Sequence, residues 1–430
     1  MRRHPLQWIA ALGALSSPTW AAAPEVLGGS PRSAALAQAD GASREPASAA
    51  LVSPTAAASD GTSVVVAYGV GSPRFSLRGV PVEVASLRGT TFGVQAGAQL
   101  GGTLVGFAVG GYLPDRGLAS VSFRPASEPV FPRYEAAAAK ATLDLVAAVG
   151  GKLRGAAGVS VGAGTEGPGV DVVLAQDGRG VRSDGAVDLS VTYRLAPVLA
   201  LAFRPDDDFS VALRLRGARS FRAALDAATA VTFRDNPLSG VTRVQLRGDA
   251  AYDPLLVDLG LSERFVLRGA WRAALFAGLR YERWSAAPSP VASAALDLDL
   301  VLRPFERQET FEPPPLRDVL SPRAALELTS PSDLLALRAG YGYLPSPLAA
   351  PRGYLTPLFP AVHEVTAGAG LALRGLGVPL RIDLALGLQV ASERQARKED
   401  LTLPWASYTL GGVLPHGMVG VTVEMEGAGG

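Results

Sequence analysis

Chemistry at a protein site needs a nucleophile, a titratable base or a metal-ligating set, and this chain is poor in all three. It has no cysteine, which removes thiol nucleophiles, thiolate zinc sites and disulfides. Only three histidines occur, His4, His363 and His416, far apart in sequence, so a histidine-rich metal site is not predicted. The pair His363-Glu364 could anchor a ligand carboxylate or act as an acid–base dyad, although such pairs are more often solvated strand ends. Asp206-Asp207-Asp208 offers the carboxylates of a calcium loop. No Glu or Asn follows at ligand spacing, and the run reads as a solvated turn. The glycine-rich run 158–169 lacks the Lys-Ser/Thr of a phosphate loop, and neither Ser210 nor Ser285 sits in a nucleophile elbow. No cofactor and no metal is implied, and the expectation is a protein that is not an enzyme.

The charges that remain are placed with regularity. Arg214 and Arg216 alternate with Val211, Leu213 and Leu215. Asp297 and Asp299 alternate with Leu296, Leu298 and Leu300, and Arg338 stands between Leu337 and Ala339. Side chains on a strand change face at every residue, so these charges share a wet face opposite a greasy one. Two chemistries suit them: binding an anionic head group, or an ion-pair network among Arg214, Arg216 and Arg338 with Asp188, Asp297 or Asp299. The network is the default.

The elements that carry this pattern recur from about residue 62 to the C-terminus. Ile382, Leu384, Leu386, Leu388 and Val390 interleave with Arg381, Asp383, Ala385, Gly387 and Gln389. The runs at 92–100, 187–195, 271–282 and 335–343 behave alike. Many exceed the ~5–6 residues usual in soluble sheets and approach the ~9–11 of a tilted membrane strand. A closed antiparallel transmembrane β-barrel of about fourteen strands satisfies every edge; a secreted β-sandwich is the soluble rival. Tyr68, Tyr112, Tyr281, Trp284, Tyr343 and Trp405, near strand ends, are candidates for an interfacial girdle. Alternation is poor over 135–149, where a short helix running into a strand is expected. Some connections are tight, and others, such as 303–321 and 344–360, are long and Pro-rich.

Of 430 residues 48% are hydrophobic, enough for a wide lipid band, and the net charge of +1 lacks the footprint of a nucleic-acid partner. Residues 1–23 read as a signal peptide: Arg2 and Arg3, an apolar stretch from Leu6 to Leu15, then small residues, with cleavage after Ala21 an alternative. Residues 24–61, rich in Ala, Ser and Pro, form an irregular segment, either a linker or something tucked against the rest. Residues 62–430 are the expected barrel.

Several segments, in order, resemble the FadL-type outer-membrane transporters of long-chain fatty acids and other hydrophobic compounds. They are Pro46 to Thr55; Leu113-Pro114-Asp115; Phe203-Arg204-Pro205-Asp206 with Phe209-Ser210-Val211; Tyr281-Glu282-Arg283-Trp284-Ser285; and Arg338 to Tyr343, followed by Ser346-Pro347 and His363. Ser53-Pro54-Thr55 stands where the family has an Asn-Pro-Ala-type motif, and 425–430 lack the terminal aromatic residue common in such barrels. The resemblance implies a barrel in the cell outer membrane, plugged by residues 24–61. Leu51, Val52 and Pro54 would belong to a hatch, and His363 would be a ligand-side polar group. Hydrophobic compounds such as long-chain fatty acids or aromatic hydrocarbons would cross by passive diffusion, and an apolar path lowers the barrier that the polar leaflet presents. The implied partners are outer-membrane lipid, a hydrophobic small molecule and, during insertion, the barrel-assembly machinery. The rival readings are a structural or adhesive barrel working through its loops and, further off, an outer-membrane lipid-acting enzyme.

Overall fold

The computed structural model describes residues 26–82, 84, 86–115, 140–177, 180–231, 240–289, 293–300, 305–310, 313, 315–349, 359–373, 379–397 and 406–425. The signal-peptide expectation and Trp405 lie outside them. Twenty strands follow in chain order: β1 (Gly61–Gly71), β2 (Arg74–Leu77), β3 (Val80–Val82), β4 (Leu87–Leu100), β5 (Thr103–Pro114), β6 (Ala141–Gly150), β7 (Leu153–Asp177), β8 (Gly180–Phe203), β9 (Phe209–Arg216), β10 (Arg219–Val231), β11 (Gly240–Asp253), β12 (Leu255–Val266), β13 (Arg272–Arg283), β14 (Ser293–Leu300), β15 (Phe305–Thr310), β16 (Val319–Thr329), β17 (Leu335–Leu344), β18 (Val362–Leu373), β19 (Leu380–Arg397) and β20 (Ser407–Met425).

Fourteen of them close a ring, each antiparallel to both neighbours: β1, β4–β9, β12, β13 and β16–β20. The seam joins the first strand to the last, with Thr62 opposite Met425 and Gly71 opposite His416. Closure leaves no unpaired edge, which a sheet of this size needs. The other six strands sit on the long connections. β2 and β3 form a hairpin on β20. β10 runs parallel to the far part of β7 (Ala228 opposite Val173) and leads on to β11, β14 and β15.

The two ends of the ring differ. At one end the connections are short: Gly101-Gly102, both at positive φ as a two-residue hairpin turn requires, then 151–152, 204–208, 267–271 and 330–334. At the other lie all the long ones, including β10–β11 and β14–β15.

Alternation fixes which side chains face out. On β19, Leu384, Leu386 and Leu388 are exposed, whereas Asp383, Ala385 and Gln389 are buried. The same holds for Val66 against Val65 and Ala67 on β1, and for Val419 and Val421 against Met418 and Thr422 on β20. The ring is therefore apolar outside and largely polar inside, the reverse of a soluble protein and the arrangement of a barrel in lipid.

One expectation is met in part and another needs correcting. The start of the expected helix at 135–139 lies outside the described residues, and 141–149 form strand β6. Its inward face carries the small apolar residues Val146 and Ala148 beside Asp144, which blurs the alternation. The girdle also loses members. Tyr112 is fully buried and donates to the Arg88 carbonyl at 2.9 Å, and Trp284 packs edge-on to Tyr252 and against Phe359 beneath the long connections. Tyrosines on the outer face remain at the long-connection end, each with its hydroxyl engaged: Tyr68 with Asp115, Tyr281 with Asp318, Tyr341 with His363.

Candidate functional site

Residues 26–60 are almost wholly buried and touch strands on every side of the ring, so the segment lies within it. The segment carries a short α-helix, Pro31–Ala35, five residues long. Ser30 caps it by accepting from the Ser33 amide at 3.2 Å, and Pro31 occupies the first turn, where its missing N–H is not needed. The helix stops at Ala37 and Gln38, both at positive φ, and the Gln38 amide donates back to the Ser33 carbonyl at 2.8 Å. A left-handed glutamine is unusual and needs support. Arg323 supplies it, donating to the Gln38 carbonyl at 3.4 Å and to its Oε1 at 3.2 Å. A turn of 3-10 helix follows at Pro54–Ala57.

With so little internal structure the segment must find partners for its carbonyls elsewhere. The wall provides them. Thr366 donates to Ala35 (2.7 Å), Arg204 to Ser43 (3.0 Å), Arg214 to Leu51 (2.7 Å), Gln95 to Ala57 and Ser59 (3.1 Å each) and Arg154 to Ala58 (2.6 Å). Such approach needs small residues on both sides. A Cβ at Gly340 would stand 2.6 Å from the Leu36 carbonyl carbon, and one at Gly260 would stand 2.7 Å from the Ala42 nitrogen.

The two halves are held differently. Arg32, Glu45 and wall residues make a closed ring of alternating charge. Arg32 pairs with Glu327 (2.8 Å), Glu327 with Arg338 (2.6 Å), Arg338 with Asp383 (2.6 Å), Asp383 with Arg381 (2.6 Å), Arg381 with Glu45, and Glu45 with Arg32 (3.4 Å). Three guanidiniums alternate with three carboxylates, and Asp40, fully buried, lies 4.0 Å from Arg32 beside them. The second half has no such ring. Ala49, Ala50, Ala56, Ala57 and Ala58 pack against Ala108, Val146, Ala148, Val198 and Ala200 of β5–β8. The inner wall is thus charged where β16, β17 and β19 meet the first half and apolar where β5–β8 meet the second.

Leu51, Val52 and Pro54 fall in the second half. Leu51 and Pro54 are buried and Val52 is half-buried, with Leu51 and Val52 turned toward Gly29 so that the arms of the segment meet. Arg214, Arg216 and Arg338 point inward. Arg338 pairs with Glu327 and Asp383, and Arg214 with Asp144 at 3.5 Å, none of which is a partner named from the sequence. Asp297 lies on β14, outside the ring, beside Arg243 and Glu306 in register. β14 carries Asp299 too, whose side chain, like that of Asp188, is outside the described residues. The expectation that Asp297 and Asp299 face the lumen therefore gives way: their strand belongs to the external sheet. His363 also departs from expectation. It is exposed on the outer face, bonded to Tyr341 (2.8 Å) and stacked on Tyr343, and does not reach the segment. His416 faces inward, 3.2 Å from Glu364, so the two histidines do not converge. In the acidic turn, Asp207 pairs with Arg44, and Asp206 accepts from the Asp208 and Phe209 amides. Those two amides hold the Asp206 carboxyl below the usual range.

Sequence reasoning missed Arg32, Glu45, Glu327, Arg381 and Asp383, which knit the segment to the wall. Arg381 and Asp383 lay within a strand already recognised, on its wet face.

The architecture is shared with solved structures. A Pseudomonas aeruginosa FadL homologue superposes with a TM-score of 0.53 over 96% of this chain and 99% of that one, at 13% identity. The Ralstonia pickettii toluene transporter TbuX gives 0.50 over 92% and 98%, at 12% identity, and the Pseudomonas putida toluene transporter TodX gives 0.50 over 87% and 92%, at 14%. Neither a protein-family model nor a curated protein sequence matches the chain.

Proposed function

We propose that this chain is a FadL-type outer-membrane barrel that takes up small hydrophobic compounds by diffusion, with residues 24–61 as its plug and residues 1–23 removed on export. What supports the reading is a fourteen-stranded ring, greasy outside, with residues 26–60 buried against its inner wall. A hydrophobic solute meets its barrier at the polar outer leaflet, and a protein path shielded from water lowers it. The plug denies ions and water an open pore. The working part of the plug is its second half, with Leu51, Val52 and Pro54 as the hatch, because small apolar contacts release more readily than the charged ring holding Arg32 and Glu45. No bond is made or broken. The solved relatives named for toluene favour aromatic hydrocarbons; long-chain fatty acids are the other class. Outer-membrane lipid surrounds the ring, and the barrel-assembly machinery inserts it.

The test has two parts. Protein from outer-membrane fractions should need detergent and shift on gels only after boiling. Cells carrying it should accumulate labelled toluene or dodecanoate faster than cells without it, and no faster when Ala50→Cys and Gly110→Cys, whose Cβ atoms would stand 3.2 Å apart, are joined by a disulfide. A soluble protein with no heat shift would sink the reading. One observation favours a second role: the sheet of β10, β11, β14 and β15 continuing the long β7–β8 hairpin outside the ring offers a platform for adhesion.

A further inference from the structure

Between the N-terminal segment and β9, β10, β12, β13 and β16 lies a cavity of about 50 Å³. Five guanidiniums line it, those of Arg214, Arg216, Arg219, Arg280 and Arg323, against two carboxylates, Asp144 and Asp258. Asp144 is 3.5 Å from Arg214, Asp258 is 2.6 Å from Arg280, and Asp253 behind the wall is shared by Arg219 and Lys140. Arg323 is 5% exposed and, among the described residues, bonds only to Gln38. Among the described residues it pairs with no carboxylate, and its Nε has no partner. Nε of Arg214 and Nη2 of Arg219 are likewise buried without a protein acceptor. A buried N–H group left without an acceptor is costly, and guanidinium N–H groups form strong charge-assisted bonds to an anion.

Size narrows the anion. One buried water needs ~10–15 Å³ of cavity space, so this cavity holds only a few atoms' worth, whereas pockets for drug-sized ligands run from ~300 Å³ upward. The hydrophobic solute does not fit here, and a single small group does. We infer that this cavity is a binding site for one small monoanion, of the size of nitrate, chloride or a carboxylate group. Arg214 also holds the Leu51 carbonyl and Arg323 the Gln38 carbonyl, so the anion cross-ties the two halves of the segment through the arginines that grip them. The inference does not rest on transport.

The experiment is calorimetric titration of nitrate into the full-length barrel in detergent micelles, with gluconate as the bulk counter-ion. Saturable one-to-one binding is expected, with formate competing. Arg323→Gln should weaken it at least tenfold and Arg323→Lys by only a few-fold. Arg44→Gln, whose guanidinium sits on Asp207 in the exposed turn, should leave it unchanged. The heat-shift gel confirms that each variant has folded. Nitrate should also slow amide exchange between residues 38 and 51. Displacement of nitrate by octanoate but not octanol would identify an amphiphile's carboxylate as an occupant; no displacement by octanoate would leave a free inorganic anion. A heat that never saturates, or a folded Arg323→Gln that binds like the parent, overturns the proposal.

Discussion

The ring of charges makes a quantitative claim about what keeps the segment in place. Glu327→Gln removes the carboxylate that accepts from Arg32 Nε (2.8 Å) and Nη2 (2.9 Å) and from Arg338 Nε (2.6 Å). Both arginines are 5% exposed, so they cannot turn to bulk water. Breaking a buried ion pair from one side costs about 3–5 kcal/mol. Here Arg32 keeps Glu45 and Arg338 keeps Asp383, which brings the expectation to about 2–3 kcal/mol. The fourteen-stranded ladder does not depend on this carboxylate, so the loss falls on docking of the segment. Its open population should rise roughly 30- to 150-fold. The chain has no cysteine, so Ser33→Cys, buried beside Asp40, provides a single thiol reporter. Its alkylation in the intact barrel should quicken by that factor in the Glu327→Gln background, while amide exchange in β16 and β17 stays slow. Pairing Glu327→Gln with Arg32→Gln should give less than the sum of the two. An unchanged thiol rate, or equal acceleration throughout the wall, would show that the charges do not hold the segment.

Further outcomes follow from the close contacts. Gly340→Val should push the Pro31–Ala35 helix off the wall at a cost of about 1–3 kcal/mol, read by the same thiol. Gly278→Ala, whose Cβ would meet Ala39 at an ordinary 3.4 Å, should be nearly silent. Arg214→Met leaves the buried Leu51 carbonyl without its donor, so amide exchange at 48–54 should quicken by about tenfold while exchange at 30–36 does not. Because the Asp208 and Phe209 amides hold the Asp206 carboxyl low, its stabilisation of the turn is complete above the unfolded value of ~3.9 and disappears as pH falls through the folded value. Carbon-detected NMR should find its midpoint below ~3.9, and a midpoint at or above that value would refute the turn geometry.

The strands were legible because one face meets lipid and the other does not, a contrast that leaves a period of two in β19 and β13. Where that contrast is weak, the pattern blurs: β6 buries Val146 and Ala148 against the segment's alanines and so looks unlike a lumen-facing strand. Parity alone could have placed His363. It falls in step with Val365, not with Glu364, and so belongs outside. Charge partners are a different matter. Alternation says that Arg338 and Asp383 face inward, but which carboxylate meets which arginine depends on register between strands and on a segment hundreds of residues away. Asp297 and Asp299 show the complementary error, since alternation is equally regular in strands that never join the ring.

The seam between β1 and β20 has a consequence for how the molecule is made. The ring cannot shut until its last strand has arrived, whereas the segment that ends inside it is the first part of the described chain to emerge. Thr62 must wait for Met425, and during that wait the residues just before it are already tethered to one rim of a growing, open sheet. Threading is therefore unnecessary. The sheet can curl around its own leading end, with Arg32 and Glu45 meeting Glu327 and Arg381 as those strands are laid down, so that the lumen is built around its occupant.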